Sequence, residues 1–486
     1  METIQVKTID PISQDLLKAA YQKGIKLAWD RFEKLQPQDG FLRMGLSCPY
    51  GCLQGPCRID PFGRGPERGL CGLDRDGMVA ALLLRLSLSG ALEAMPAPAK
   101  DPSWDPALKD VVSRAAKKLG GEAISSMEVQ AAASFLMRPM ESAEGLIGQS
   151  LRLALLTIGW LAKGATLPAG KKSLPLAVGY GLLAQKDFNV GICGRPSPEE
   201  LKAVLAEVDS GLGAAQLVSL GDFIALGGKY LPCVCTSGEA ELILLSGKIN
   251  LLIAGPGTDA SVIELCRALN IPCASSTEPK SVRTLAAKAK KGQGVPVQTP
   301  FSPAPSLVEE AEAAGSAVLW EESLKKGTAK RLALLGGADH PYHSLGWVPT
   351  EVAPALQAKG LVVSAWGDSA LWMVKKGLAS QKMKSPVQVL GGEKGPVLAV
   401  KALAASGRMK DVKGVCFTGM KSCQDLGVAL GLAGMGLKVN VAVPLPLWGS
   451  EKVRNLLQEK LGALGGSLTH YDHPAQAEEI LDWFLK

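Results

Sequence analysis

The sequence predicts a mixed α and α/β fold, with a helical N-terminal domain followed by two doubly wound α/β domains. Three observations predict it. Residues 1 to about 172 carry apolar positions at helical spacing. After that point short β-rich runs alternate with helical stretches, the order expected of a parallel sheet. Residues 295–306 then hold four prolines and read as a linker, beyond which a second alternating series begins. The domains are therefore expected at 1–172, 173–300 and 307–486.

In the first domain the apolar residues Leu16, Leu17, Ala20, Ile25, Ala28 and Trp29 predict one helix over 15–32. Segment 40–75 is rich in Gly and Pro and reads as loop. Helices follow over 78–92, 110–119, 125–135 and 146–163. In the second domain 174–180 and 188–193 read as buried strands. Ser197, Pro198 and Glu200 then mark a helix start, with Ser as cap, Pro at the first position and Glu three residues after the cap. Strands over 216–220, 249–254 and 271–274 complete this unit. In the third domain strands are expected over 331–335, 361–365, 414–417, 439–443 and 468–471, with a last helix over 474–484.

Composition sets the outer limits. A chain of 486 residues corresponds to about three domains. Hydrophobic residues make up 47%, charged residues 20% and aromatics 5%, which is globular composition with material for several cores. It excludes a disordered, collagen-like or disulfide-dense chain. Uncharged runs such as 426–437 fall short of the roughly 18–20 apolar residues of a membrane span, so no membrane span is expected. The polar first ten residues hold no apolar signal core, and a cytoplasmic location is expected. Net charge is +7. The densest basic run, 288–291, reads as a solvated helix end, and no nucleic-acid partner is expected. Gly-rich pieces at 335–338 and 391–395 fall short of a phosphate-binding pattern.

The cysteines carry the chemistry. There are 11, an odd number, and Cys48, Cys52, Cys57 and Cys71 crowd together with spacing C-x3-C-x4-C-x13-C. In a chain read as cytoplasmic this favours metal binding over disulfides. Four thiolates can wrap a tetrahedral zinc or a cubane iron–sulfur cluster. Zinc sites usually pair two short knuckles, and here the second knuckle is missing. The spacing therefore favours iron–sulfur and leaves zinc as the alternative. Gly51, Gly55 and Gly72 allow tight turns whose amides can face the sulfurs, and Arg58 adds positive charge nearby.

These residues carry a resemblance. The stretches Ile9-Asp10-Pro11, Ala28-Trp29-Asp30-Arg31-Phe32-Glu33, Gln36-Pro37-Gln38, Gly55-Pro56-Cys57-Arg58-Ile59-Asp60-Pro61-Phe62-Gly63 and Cys71-Gly72 resemble the N-terminus of the anaerobic, nickel-dependent carbon monoxide dehydrogenases. Hybrid-cluster proteins are their more distant relatives. The resemblance implies a helical domain followed by two Rossmann-like α/β domains. It implies that Cys48, Cys52, Cys57 and Cys71 hold a [4Fe–4S] cluster that relays electrons. The first interval has one residue more than usual, which Gly51 is expected to absorb. Two further family cysteines, which share a cluster across the dimer axis, fall here at Asp39 and Ser47, so that cluster is expected to be absent.

The family's nickel–iron–sulfur cluster takes cysteines and one histidine from both α/β domains. Its ligands fall here near Cys193, where no His stands, at Cys233 or Cys235, near Gly255, at Ala338, near Trp366 or Gly367, and at Cys423. Nickel is therefore not expected. Cys193, Cys233, Cys235, Cys423 and His340, beside His343, offer an altered second metal site; the bland alternative is a polar loop over a cleft. Cys266, Cys273 and Cys416 read as small buried hydrophobes, and His470 and His473 as a surface turn. The expected function is that of an iron–sulfur electron-transfer or assembly subunit of a redox complex, in a homo- or heterodimer or with a redox protein partner. The alternatives are an oxidoreductase with an altered cluster in the cleft, a true carbon monoxide dehydrogenase, or a zinc-stabilised module.

Overall fold

Helix starts in this chain are set by side chains that satisfy free amides. Asp10 accepts from Ser13 N at 2.8 Å with Pro11 in the first position, and Asp74 accepts from Gly77 N at 2.9 Å. Ser197 and Glu200 exchange the expected capping-box bonds, both at 3.1 Å. The computed structural model describes residues 6–35, 40–48, 54–55, 57–96, 100–102, 104–121, 123–137, 142–163, 174–226 apart from 213–214, 229–290, 309–313, and 331–486 apart from 381 and 384. The expected linker at 295–306, both expected domain boundaries, Asp39, Gly51 and Cys52 lie outside the described residues.

The helical part contains Pro11–Gln22, Ala28–Lys34, Gly40–Met44, Arg75–Ala94, Pro106–Lys118, Met127–Met137 and Ala143–Lys163. The single helix expected over 15–32 is two helices. Gly24 takes a φ of 68°, which ends the first, and Leu27 N donates to Asp30 Oδ2 at 2.9 Å to start the second. Arg75–Ala94 and Ala143–Lys163 are long and apolar enough to cross a membrane by length and composition, unlike the sequence expectation; both are mostly buried inside the protein. They pack on each other and on Cys423–Gly434, a helix from the far end of the chain. Small residues allow the approach: a Cβ at Gly90 would stand 2.2 Å from the Cys423 carbonyl oxygen, and one at Gly431 2.7 Å from that of Ala154.

The strands are β1 Leu174–Val178, β2 Asn189–Cys193, β3 Gln216–Gly221, β4 Ala225–Leu226, β5 Lys229–Tyr230, β6 Cys233–Thr236, β7 Leu251–Ala254, β8 Cys273–Ser275, β9 Glu309–Ala313, β10 Arg331–Gly337, β11 Leu361–Trp366, β12 Gln388–Val389, β13 Val412–Gly419, β14 Lys438–Val441 and β15 Ser467–His470. All but β4 and β5 form one 13-stranded sheet in the order β15-β14-β13-β10-β11-β12-β9-β1-β6-β3-β2-β7-β8. Each half is parallel, as expected from crossover helices. The halves meet at β9, which runs antiparallel to β1 over five residue pairs and parallel to β12 at Val389–Ala313. Every strand expected from the sequence is present; β4, β5, β6, β9 and β12 were not expected. Loops after the carboxyl ends of both halves meet at a common seam, described next.

Candidate functional site

Cys48 and Cys57 sit on paired segments. Cys48 N donates to Cys57 O at 2.8 Å, Ile59 N donates to Leu46 O at 2.9 Å, and Ser47 bridges to Arg58. A second turn carries Cys71. Gly69 N donates to Leu73 O at 2.8 Å, Gly72 N to Gly69 O at 2.9 Å, and Gly72 takes a φ of 91°. This turn folds onto Cys57, whose sulfur accepts the Leu70 amide at 3.4 Å. Asp60 ties down the intervening loop by accepting from Phe62 N and Arg64 N, and Arg75 donates to the Asp60 and Pro61 carbonyls at 3.1 and 2.8 Å. Cys48 and Cys57 are half-buried and Cys71 is exposed. Leu70 and Phe62 are 68% and 78% exposed, so the loop stands at the surface. Arg58, expected as a nearby positive charge, lies over the Phe41 ring at 5.4 Å.

At the position of the expected cleft the loops after β2, β6, β7, β10, β11, β12 and β13 converge in a seam. Gly255 N donates to Cys193 O at 2.8 Å, Ala338 N to Gly419 O at 3.3 Å, and Gly367 N to Gly391 O at 2.9 Å. The seam is ionic. Arg195, after β2, makes a two-pronged pair with Glu393, after β12, with both distances 2.7 Å. Lys421, after β13, pairs with Asp259, after β7, at 2.9 Å. Asp368 opens the helix Gly367–Lys375 and accepts from Ser237 N at 2.8 Å, Ser237 Oγ and Asp339 N at 2.8 Å. Each of these contacts except the last joins the first half-sheet to the second. Burial and the neighbouring Asp368 hold the Asp339 carboxyl well above the usual carboxylate range. Burial pushes Asp222, beside Arg195 and Lys421, up to about 6.

The structure brings Cys193, Cys233 and Cys235 into the buried strand ends, with Cys423 half-buried at a helix start. Burial pushes the Cys193 thiol up to about 11 and the Cys233 thiol up to about 12. Cys233 donates to the Cys235 carbonyl at 3.3 Å. His340 is stacked on Tyr342 with ring centres 4.0 Å apart, and burial pushes it down to about 4. Among the described residues no group of three or more His, Cys, Asp or Glu is placed to hold a metal ion. Cys193, Cys233, Cys235, Cys423 and His340 are therefore not gathered into one ligand set. The three described loop cysteines do not form a cage by themselves either, and their fourth member, Cys52, lies outside the described residues. Cys266 and Cys416 are buried and Cys273 half-buried, as expected of small hydrophobes. His473 is in an exposed turn, bonded to Asp472 and Glu479. His470 is not; it ends β15 against Trp448, and burial pushes it down to about 4.

Sequence reasoning missed Arg195, Asp222, Asp339, Asp368, Glu393 and Lys421. A signal was present: Gly221-Asp222, Gly367-Asp368 and Gly392-Glu393 each put an acid after a glycine, just past a strand end.

No family model matches the chain. A 90-residue stretch is 50% identical to carbon monoxide dehydrogenase 1 of Methanosarcina mazei, covering 18% of this chain and 14% of that protein. An 84-residue stretch is 50% identical to carbon monoxide dehydrogenase 1 of Carboxydothermus hydrogenoformans, covering 17% and 13%. These sequence matches thus span about one seventh of the curated relatives' length. The fold match is wider. Carbon monoxide dehydrogenase IV from Carboxydothermus hydrogenoformans superposes with a TM-score of 0.80 over 99% of each chain, at 18% identity. The chain has the fold of these carbon monoxide dehydrogenases and is similar to them in sequence over one stretch of 90 residues. A nickel-free structure of the dehydrogenase from Thermococcus sp. AM4 matches with a TM-score of 0.78 over 99% of this chain, at 18% identity.

Two metal groups follow from the family, and the residues fit them differently. The loop system of Cys48, Cys57 and Cys71 carries the donor type an iron–sulfur cluster takes, with a backbone amide aimed at one sulfur. That donor set fits. The seam does not fit a nickel–iron–sulfur cluster. Trp366, at the end of β11, is 1% exposed, packs edge-on against Phe417 at 5.2 Å and covers Gly336, where a Cβ would meet its ring at 2.2 Å. Gly255, Ala338 and Trp366 or Gly367, where the resemblance leads one to expect soft ligands, offer none.

Proposed function

We propose that this protein is an iron–sulfur redox protein of the carbon monoxide dehydrogenase family. It holds one [4Fe–4S] cluster on Cys48, Cys52, Cys57 and Cys71 and has no nickel cluster. It serves as an electron-transfer or assembly subunit of a larger redox complex in the cytoplasm. The reading treats 1–172 as a helical domain and 173–300 and 307–486 as Rossmann-like domains. A structure that resembles this chain, with a TM-score of 0.78 at 18% identity, is of an acetyl-CoA synthase/carbon monoxide dehydrogenase complex, which favours a subunit role.

One observation carries the reading: the Leu70 amide on the Cys57 sulfur, which folds the exposed Cys71 turn over the other cysteine segments. A bound cluster would supply one-electron redox chemistry. The chain's own residues would set its surroundings. The Leu70 amide stabilises negative charge on the Cys57 sulfur, Gly72 lets the Cys71 turn close, and the Asp60–Arg75 ties fix the loop between them. Surface placement brings the cysteines close to any docked partner.

The test is iron, nickel, zinc and acid-labile sulfide per chain, on protein purified without oxygen. About four irons and four sulfides without nickel is the expected result. Stoichiometric zinc, stoichiometric nickel or roughly twice that iron overturns the reading.

A further inference from the structure

We infer that Asp368 is a built-in anion that ties the two half-sheets together where the loops after their strands meet. The inference rests on the reading above that no nickel cluster is bound.

Asp368 is 3% exposed and lies in the first turn of Gly367–Lys375, where the helix dipole favours negative charge. Its partners among the described residues are donors: the Ser237 amide, the Ser237 hydroxyl and the Asp339 amide. Burial raises the Asp368 carboxyl above its ordinary range, and the two amides and the hydroxyl oppose that shift by favouring the ionised form. The neighbouring Asp339 has different surroundings. Its Oδ1 accepts from Trp372 at 2.8 Å, and burial beside Asp368 raises its carboxyl well above the usual range. Burial raises both adjacent carboxyls, and the three donors on Asp368 favour the negative charge there.

The donors come from both halves of the sheet. Ser237 follows β6 in the first half, and Asp339 follows β10 in the second. Arg195–Glu393 and Lys421–Asp259 span the same gap. A thiolate-bound cluster would bring further negative charge against a carboxylate that already satisfies these donors. If Asp368 is removed, two amides and a hydroxyl are left facing a space shaped for a carboxylate. A small carboxylate from solution should enter that space.

The experiment uses the full, cluster-loaded chain. Thermal unfolding of the wild type, Asp368→Ala and Asp368→Asn is followed while sodium acetate is titrated against sodium chloride at matched ionic strength. Both variants should melt lower, by roughly 5 °C. Acetate should restore at least half of the loss in Asp368→Ala, saturably, and leave Asp368→Asn and the wild type in place. Equal melting of all three proteins, or an equal acetate effect on the wild type and Asp368→Ala, overturns the inference. If Asp368→Ala does not fold, wild-type melting of Asp368→Asn overturns it and a lowered melting point supports it. Metal content of the same wild-type sample separates the two levels. Bound nickel sinks the functional reading, whereas nickel-free protein without acetate rescue sinks the role of Asp368 alone.

Discussion

Lys375 Nζ donates to both carboxylate oxygens of Glu239, at 2.8 and 3.0 Å. It also pairs with Asp10 at 2.9 Å and lies 4.3 Å from the centre of the Trp372 ring. The three charged side chains are at most 6% exposed and come from the first helix, the loop after β6 and the end of Gly367–Lys375. Removing the cation leaves two carboxylates buried together. Lys375→Met should therefore cost about 3–5 kcal/mol in urea unfolding, and Glu239→Gln on top of it should recover part of that loss. A Lys375→Met protein with wild-type stability would refute this.

The helix contacts predict opposite outcomes for two glycines. Gly90→Ala drives a Cβ to 2.2 Å from the Cys423 carbonyl oxygen and should destabilise by at least about 1–3 kcal/mol. Gly148→Ala lies in Ala143–Lys163 with nothing within 4 Å of the added carbon, and should stabilise by up to about 1 kcal/mol. Denaturant midpoints of the two variants decide.

Cys71 and Cys273 should differ in the metal they control. Cys71→Ser should lower iron per chain well below stoichiometric and bleach the visible absorption. Cys273→Ala, at the start of β8, should leave both unchanged. Iron loss in the second variant, or none in the first, would contradict the loop assignment.

Asp222 predicts a pH effect. Burial holds its carboxyl at about 6 in the folded chain, above the ordinary 3.8. The folded state thus keeps a proton that the unfolded state releases. The stability this contributes is complete below 3.8 and is lost as pH rises to about 6. Asp222→Asn does not titrate. Its unfolding free energy relative to wild type should move in the variant's favour between those two pH values and stay level above them. Parallel curves across that window would show that Asp222 is not the group responsible.

Much of the fold was legible because its signals are local. Alternation of apolar runs with capped helices located β1 to β3, β7, β8, β10, β11 and β13 to β15, and Ser197-Pro198 with Glu200 marked a helix start that the structure reproduces bond for bond. What was not legible depends on distant partners. β9 reads Glu-Glu-Ala-Glu-Ala and forms a strand only because β1 and β12 offer it edges. Gly24, which splits the expected first helix, looks tolerable in a periodic pattern and acts only through its backbone. The cysteine loop was legible because four ligand-type residues lie close in sequence. The seam charges were not, because Arg195 and Glu393, or Ser237 and Asp368, are brought together only by the folded sheet.

β9 also dictates an order of events as the chain is made. Leu174–Val178 emerges from the ribosome long before Glu309–Ala313, its antiparallel neighbour. Until then the first half-sheet has β1 as a bare outer strand, open to pairing with any extended chain nearby. The partner must then arrive after more than a hundred further residues, and it must be capped in turn by β12 before the seam is closed. A nascent chain stalled between these points is the species in which strand exchange and aggregation should begin.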